Sequence, residues 1–133
     1  MTITDYLQEL DETISSAPEV VQVDILRRSV LDTGMEIVAV YRYKLTMTDG
    51  SLLELTERLV EEFGQLSRTK YRFHWQSQKA EVIKRWDNAP HHPEVESFPH
   101  HLHDGSETHV ISHGIISGID AVNRVIADIA EAQ

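Results

Sequence analysis

An α+β chain is expected, with an antiparallel β-sheet meander of about five or six strands between an N-terminal and a C-terminal helix. Three features lead there: a helical apolar period near each end, runs of β-branched or alternating residues between them, and turn signals that separate those runs. A His/Pro-rich loop is expected over the sheet. The 133 residues fall within the usual size of one domain, so residues 1–133 are taken as a single unit.

The first helix is predicted over residues 4–15. Thr4 can cap it, and Leu7, Leu10 and Ile14 recur at helical spacing. Pro18 ends it, because proline cannot continue the ladder. Residues 20–30 are rich in β-branched side chains and read as a strand, with a turn at Asp32-Thr33-Gly34. Residues 35–47 read as a second strand, and Asp49-Gly50 as a type I′ hairpin turn. Its return, residues 52 to about 59, carries Leu52, Leu53 and Leu55, which predicts cover on both faces by the terminal helices.

Residues 67–76 alternate Tyr71, Phe73 and Trp75 with Arg72, His74 and Gln76. Residues 81–87 return antiparallel. Facing Gln76 with Glu81 pairs Trp75 with Val82, Tyr71 with Trp86 and Arg72 with Arg85. Both tryptophans then belong to the core, and Arg72, His74, Arg85 and Asp87 share the other face. Residues 88–104, with Pro90, Pro93 and Pro99, read as irregular, and a short strand follows near 109–112. The last helix spans about residues 119–130, opened by a Ser117/Asp120 capping box, with Ile119, Val122, Ile126 and Ile129 as its apolar stripe.

Composition narrows the function. No cysteine is present, which excludes disulfides, thiolate zinc sites and a cysteine nucleophile, and fits a reducing compartment. No apolar run reaches the ~18 residues of a membrane span, and the first residues lack the basic start of a secretory signal. A cytoplasmic protein with no membrane partner is expected. The net charge is −10, unevenly spread. Residues 1–62 hold 5 basic and 13 acidic side chains, residues 63–93 hold 6 and 2, and residues 94–133 hold 1 and 7. All eight histidines lie between His74 and His113, so an anion-facing site is expected only in the middle of the chain. Arg27-Arg28 reads as a solvated strand end and Glu61-Glu62 as surface. Asp11-Glu12 lacks partner groups for glycosidase-like acid/base work, and no phosphate-binding Gly-rich loop or GxSxG is present.

The densest chemistry runs from Tyr71 to His103. It comprises Tyr71-Arg72-Phe73-His74-Trp75-Gln76, then Arg85-Trp86-Asp87-Asn88-Ala89-Pro90-His91-His92-Pro93, then Phe98-Pro99-His100-His101-Leu102-His103. These segments resemble the TumE-type proteins of bacterial and archaeal toxin–antitoxin pairs. The string Asp-Asn-Ala-Pro-His-His-Pro is the specific part. The hairpin Asp49-Gly50-Ser51 with Leu53-Glu54-Leu55 is similar too, and Leu102 departs from the basic residue expected there. The resemblance covers residues 35–103 and, loosely, the last helix. It implies a toxin-like protein partnered by a small antitoxin with a DNA-binding helix-turn-helix.

Three readings of the cluster stand side by side. In the first, the chain is an endoribonuclease. His74, His91, His92, His100, His101 and His103 supply proton donors and acceptors, Asp87 orients a histidine, and Arg72, Arg85 and Asn88 hold the phosphate, with no cofactor needed. In the second, His91, His101, His103 and Asp87 hold a divalent transition metal, His92 being the alternative to His91, because His101 and His103 at i, i+2 share one side of an extended segment. In the third, the histidines pack the loop against backbone carbonyls, and the chain acts by binding a partner through a sheet edge or the last helix. Self-association into a homo-oligomer is open on all three. The hairpin's polar face is expected to form the floor of a shallow site, the His91–His103 loop its wall, and a carboxylate or anion is expected between Arg72 and Arg85.

Overall fold

The computed structural model describes residues 1–133. Helix α1 (Ile3–Ser15) is followed by seven strands, β1 (Val20–Asp32), β2 (Ile37–Met47), β3 (Leu52–Glu62), β4 (Gln65–Gln76), β5 (Val82–Asp87), β6 (His101–Asp104) and β7 (Val110–Ser112), and by helix α2 (Gly118–Glu131). The strands form one sheet in chain order, every neighbour antiparallel. The α+β meander with a helix at each end is therefore present, with seven strands rather than five or six. The additional strand is β6, which lies inside the stretch expected to be irregular; four residues between a proline-rich run and a turn are too few to show a period.

Local chemistry sets the helix ends. Thr2, not Thr4, caps α1: its hydroxyl accepts from Asp5 N–H at 3.0 Å while the Asp5 carboxylate accepts from Thr2 N–H at 3.3 Å. Thr4 has no such reciprocal partner, because Leu7 stands three residues on. Ser117 caps α2 as expected, accepting from Asp120 N–H at 3.0 Å.

The turns also differ from expectation. At Asp49-Gly50 only Gly50 has positive φ, so the turn is not type I′; Asp49 instead accepts from the Ser51 backbone N–H at 2.9 Å. The two-residue turn with both φ values positive is Phe63-Gly64, closing Glu62 onto Gln65.

Both helices lie on the same face of the sheet. α1 contacts α2 and β3, and α2 contacts β3 and β4. One hydrophobic cluster results, drawing Leu10 and Val125 from the helices and Tyr41, Leu55, Phe73, Trp75, Trp86 and Leu102 from the strands. Each such side chain contributes roughly 1.5–3 kcal/mol of burial. Both tryptophans are core, as expected, and Trp75 donates to Ser51 Oγ at 2.9 Å. The two-sided cover expected from the leucines of β3 is not formed: Leu53 and Leu55 are buried, while Leu52, on the other face, is only half-buried. Leu102 is buried opposite Trp86, so strand alternation explains an apolar residue between two histidines.

A carboxylate sits inside this core. Glu57 is fully buried and accepts from Tyr6 Oη, from Tyr41 Oη at 2.5 Å, from Arg68 Nε at 2.9 Å and from the Gly118 N–H at 3.2 Å. A Cβ on Gly118 would lie 2.3 Å from Tyr41 Oη, so only glycine lets α2 start this close. Arg27 and Arg28 lie mid-strand rather than at an end, and Arg28 reaches Asp11 at 2.8 Å, giving that carboxylate a partner. No helix is long and apolar enough to cross a membrane.

Candidate functional site

The face of the sheet opposite the helices carries the charged residues. The registers expected between β4 and β5 are off by two positions: Phe73 pairs with Trp86, His74 with Arg85 and Arg72 with Asp87, with an irregularity between Trp75 and Gln76. A shift of two preserves the face of every side chain, so Arg72, His74, Arg85 and Asp87 still project together. β6 then adds His103 beside Arg85 and His101 beside Asp87. Two rows cross the three strands, His74–Arg85–His103 and Arg72–Asp87–His101.

Asp87 is the centre. Its Oδ1 lies 3.0 Å from His101 Nε2 and accepts from the Ala89 N–H at 3.0 Å; its Oδ2 accepts from Arg85 Nε at 3.3 Å and lies 3.7 Å from His103 Nε2. Asp87, His101 and His103 are all buried. Arg85 also donates to both carboxylate oxygens of Glu107, at 2.5 and 2.6 Å, and its Nη2 lies 3.1 Å from His103 Nε2. Both carboxylates bond Arg85, and neither bridges it to Arg72, which stands opposite Asp87 in the ladder without a bond to it.

The loop between β5 and β6 contributes one histidine. The His92 ring lies 4.8 Å from that of His101 and 5.4 Å from that of His103, centre to centre. His101 and His103 belong to the floor, on β6, and not to a wall. The remaining predicted residues lie elsewhere. His91 is exposed. His100 stacks on Tyr71 on the helix-covered side, its Nδ1 2.7 Å from Tyr71 Oη. Asn88 spends its whole amide on the backbone of β4, accepting from Tyr71 N–H at 3.0 Å and donating to Thr69 C=O at 3.1 Å, so it extends the hairpin.

Electrostatics distinguish the imidazoles. Burial, reinforced by the charge of Arg72, lowers the pKa of His74 below its ordinary value. Burial likewise lowers His103, helped by Arg85 and opposed by the hydrogen bond to the Glu107 carbonyl. The bonds from Arg85 hold Glu107 below the usual carboxylate range. Beside the rows, Arg27, Arg42 and Arg72, with Glu54 and Thr56, line a groove of ≈ 480 Å³ on this face.

Sequence reasoning missed Glu107, which reaches the site from the β6–β7 turn. Asp104-Gly105 was its signal: Gly105 has positive φ, and this dipeptide marks a hairpin whose tip returns over the preceding strand.

The structure defines a single-sheet α+β protein with one face packed by helices and the other carrying this cluster, and the sequence comparison supplies its class, a toxin-like component of a toxin–antitoxin system. Residues 10–133 match the family described as Toxin TumE, and the chain belongs to that family. Membership implies an antitoxin partner. No curated protein and no solved structure matches the chain significantly.

Proposed function

We propose that the chain is the RNA-cleaving toxin of its pair, acting in the cytoplasm through the open sheet face, and that its antitoxin is a helix-turn-helix DNA-binding protein. The observation that carries the reading is the row His74–Arg85–His103, in which an arginine is flanked on adjacent strands by imidazoles. Neighbouring strands lie about 4.8 Å apart, so the two histidines stand on either side of a phosphate held at Arg85. His74, kept neutral by burial and Arg72, takes the 2′-OH proton on Nε2 once the substrate displaces Gln76, whose Oε1 lies 3.0 Å from that nitrogen. Arg85 holds the non-bridging oxygens. A protonated imidazole among His92, His101 and His103 gives its proton to the leaving 5′-oxygen as the 2′-oxygen bonds to phosphorus and the P–O5′ bond breaks, and Asp87 holds that imidazolium. The arginine-lined groove receives the flanking backbone.

Glu107 grips Arg85 with two oxygens, in the manner of a phosphate, and must yield to the substrate. Cleavage by the antitoxin-free protein should fall about 10²-fold or more in Arg85→Ala and in His74→Ala, the usual weight of a positioned acid–base or phosphate-binding group, and much less in Arg27→Ala. A protein that cuts no RNA, with or without divalent metals, and does not slow growth on expression overturns this reading.

A second reading, partner binding without catalysis, has its own support in the outer strand β1. This 13-residue strand has no neighbour on one side, and Val21, Ile25, Leu26, Val30 and Leu31 are exposed along it. It predicts that alanine at His91, His92, His100, His101 and His103 together leaves antitoxin binding and the cellular effect unchanged.

A further inference from the structure

We infer that His92, His101 and His103, with Asp87, form a binding site for one divalent transition-metal ion. One ring nitrogen from each of the three histidines lies within 4.8 Å of the others. The decisive feature is what the opposite ring nitrogens do. His92 Nδ1 lies 3.0 Å from Glu94 Oε1, His101 Nδ1 2.9 Å from the Pro99 carbonyl and His103 Nδ1 2.8 Å from the Glu107 carbonyl. All three are acceptors, so each Nδ1 carries a proton, which leaves Nε2 as the coordinating nitrogen of the neutral ring. Histidines that bind metals are oriented in this way, by a carboxylate or carbonyl on the far nitrogen.

His101 adds a second argument. Its Nδ1 faces the Pro99 carbonyl and its Nε2 faces Asp87 Oδ1 at 3.0 Å. A neutral imidazole has one proton and cannot donate to both acceptors, so the position between Nε2 and the carboxylate takes either a second proton or a metal ion. A cation between Nε2 and the carboxylate resolves the conflict, because lone pairs from both can then point at it. His92 completes the set from the loop, its ring lying edge-on against both β6 histidines.

The geometry is close to what a metal requires. Bonds of about 2.0–2.1 Å in a tetrahedron place donors about 3.3 Å apart, so the nitrogens must close by roughly 1.5 Å at their widest. The loop carrying His92 is the part able to move, since His101 and His103 are fixed in the sheet. Three imidazoles and a carboxylate suit zinc, nickel or iron, and not magnesium or calcium, which take oxygen donors. Binding exchanges the contact between Arg85 and His103 for a coordinate bond, while Arg85 keeps both bonds to Glu107.

The site does not rest on RNA cleavage, and its test uses no RNA. The full chain, stripped with EDTA and dialysed, is titrated with ZnCl2 by calorimetry and with Co2+ by visible absorption. One zinc per chain and the intense d–d bands of tetrahedral cobalt are expected. His92→Ala, a partly exposed loop residue whose loss leaves the sheet intact, should weaken zinc binding at least 100-fold with an unchanged circular dichroism spectrum. His91→Ala and His100→Ala should leave it within twofold. No saturable binding, or equal affinity in His92→Ala and the parent, overturns the site. Zinc binding without RNA cleavage keeps the metal site and removes the nuclease; cleavage without metal binding does the reverse.

Discussion

Glu57 and Asp87 are both buried carboxylates, at 0% and 6% exposure, on opposite faces of one sheet, yet their surroundings differ in kind. Glu57 is ringed by two phenols, a guanidinium and a backbone N–H, none of which changes protonation near neutral pH. Asp87 is ringed by two imidazoles and an arginine that it shares with an exposed glutamate. The first joins α1, α2, β2, β3 and β4 at a single point. The second joins only β5, β6 and the turn after it, beside a loop. A buried charge with inert partners holds a fold, whereas one with titratable, lone-pair-bearing partners is equipped for chemistry.

The largest effect expected from this contrast is on stability at the first carboxylate. Glu57→Ala strands the Arg68 guanidinium and two buried hydroxyls and should cost about 3–5 kcal/mol in urea unfolding. Gly118→Ala reaches the same point without removing a charge: its Cβ would meet Tyr41 Oη at 2.3 Å and Glu57 Oε1 at 2.7 Å, costing about 1–3 kcal/mol. If neither variant is less stable than a surface substitution, Glu57 is not the anchor of the helices.

Asp87→Asn comes next and should invert the pattern. The amide keeps the shape and an oxygen for the Ala89 N–H, and Arg85 retains Glu107, so stability should fall by only about 1–3 kcal/mol. RNA cleavage and zinc affinity, measured on the same preparation, should fall by about 10²-fold or more. Equal losses of stability in Asp87→Asn and Glu57→Ala, with function following stability, would erase the distinction.

The sequence made the second carboxylate visible and hid the first. Asp87 stands in a string of chemically unusual residues, and alternation alone put it beside Arg72, His74 and Arg85, because a two-residue register error does not change faces. Alternation puts Glu57 on the face of Leu53, Leu55 and Leu59, but nothing near it in sequence signals its partners. The Tyr6 hydroxyl and the Gly118 N–H come from two helices distant in sequence, which no local period encodes. The same limit explains His92 and His91. Adjacent histidines in a loop are equivalent by spacing, and only the course of the loop over β6 selects one of them. β6 itself was hidden because its four residues are ordered by pairing with β5 rather than by any pattern of their own.

The smallest effects expected are in the pH profile of stability, where the titratable groups of the two faces govern opposite limbs. His74 and His103 have folded pKa values lowered from 6.5, chiefly by burial. Above about pH 6.5 both states are neutral and these groups contribute no pH dependence. Below it, the unfolded chain takes up protons that the folded chain refuses, so stability declines as the pH falls from about 6.5 toward the folded values. Carboxylates such as Glu107, lowered from 4.5, act only at more acidic pH. Around Glu57 the sign is reversed: Tyr6 and Tyr41 are raised above 10 by burial and by the neighbouring carboxylate. The unfolded chain therefore loses phenolic protons first, and stability declines as the pH rises through about 10. Melting curves from pH 5 to 11 should show both limbs. His74→Gln should flatten the acid limb alone, and Tyr41→Phe the alkaline limb alone. A Tyr41→Phe protein with an unchanged alkaline limb, or a His74→Gln protein with an unchanged acid limb, would detach that limb from the residue assigned to it.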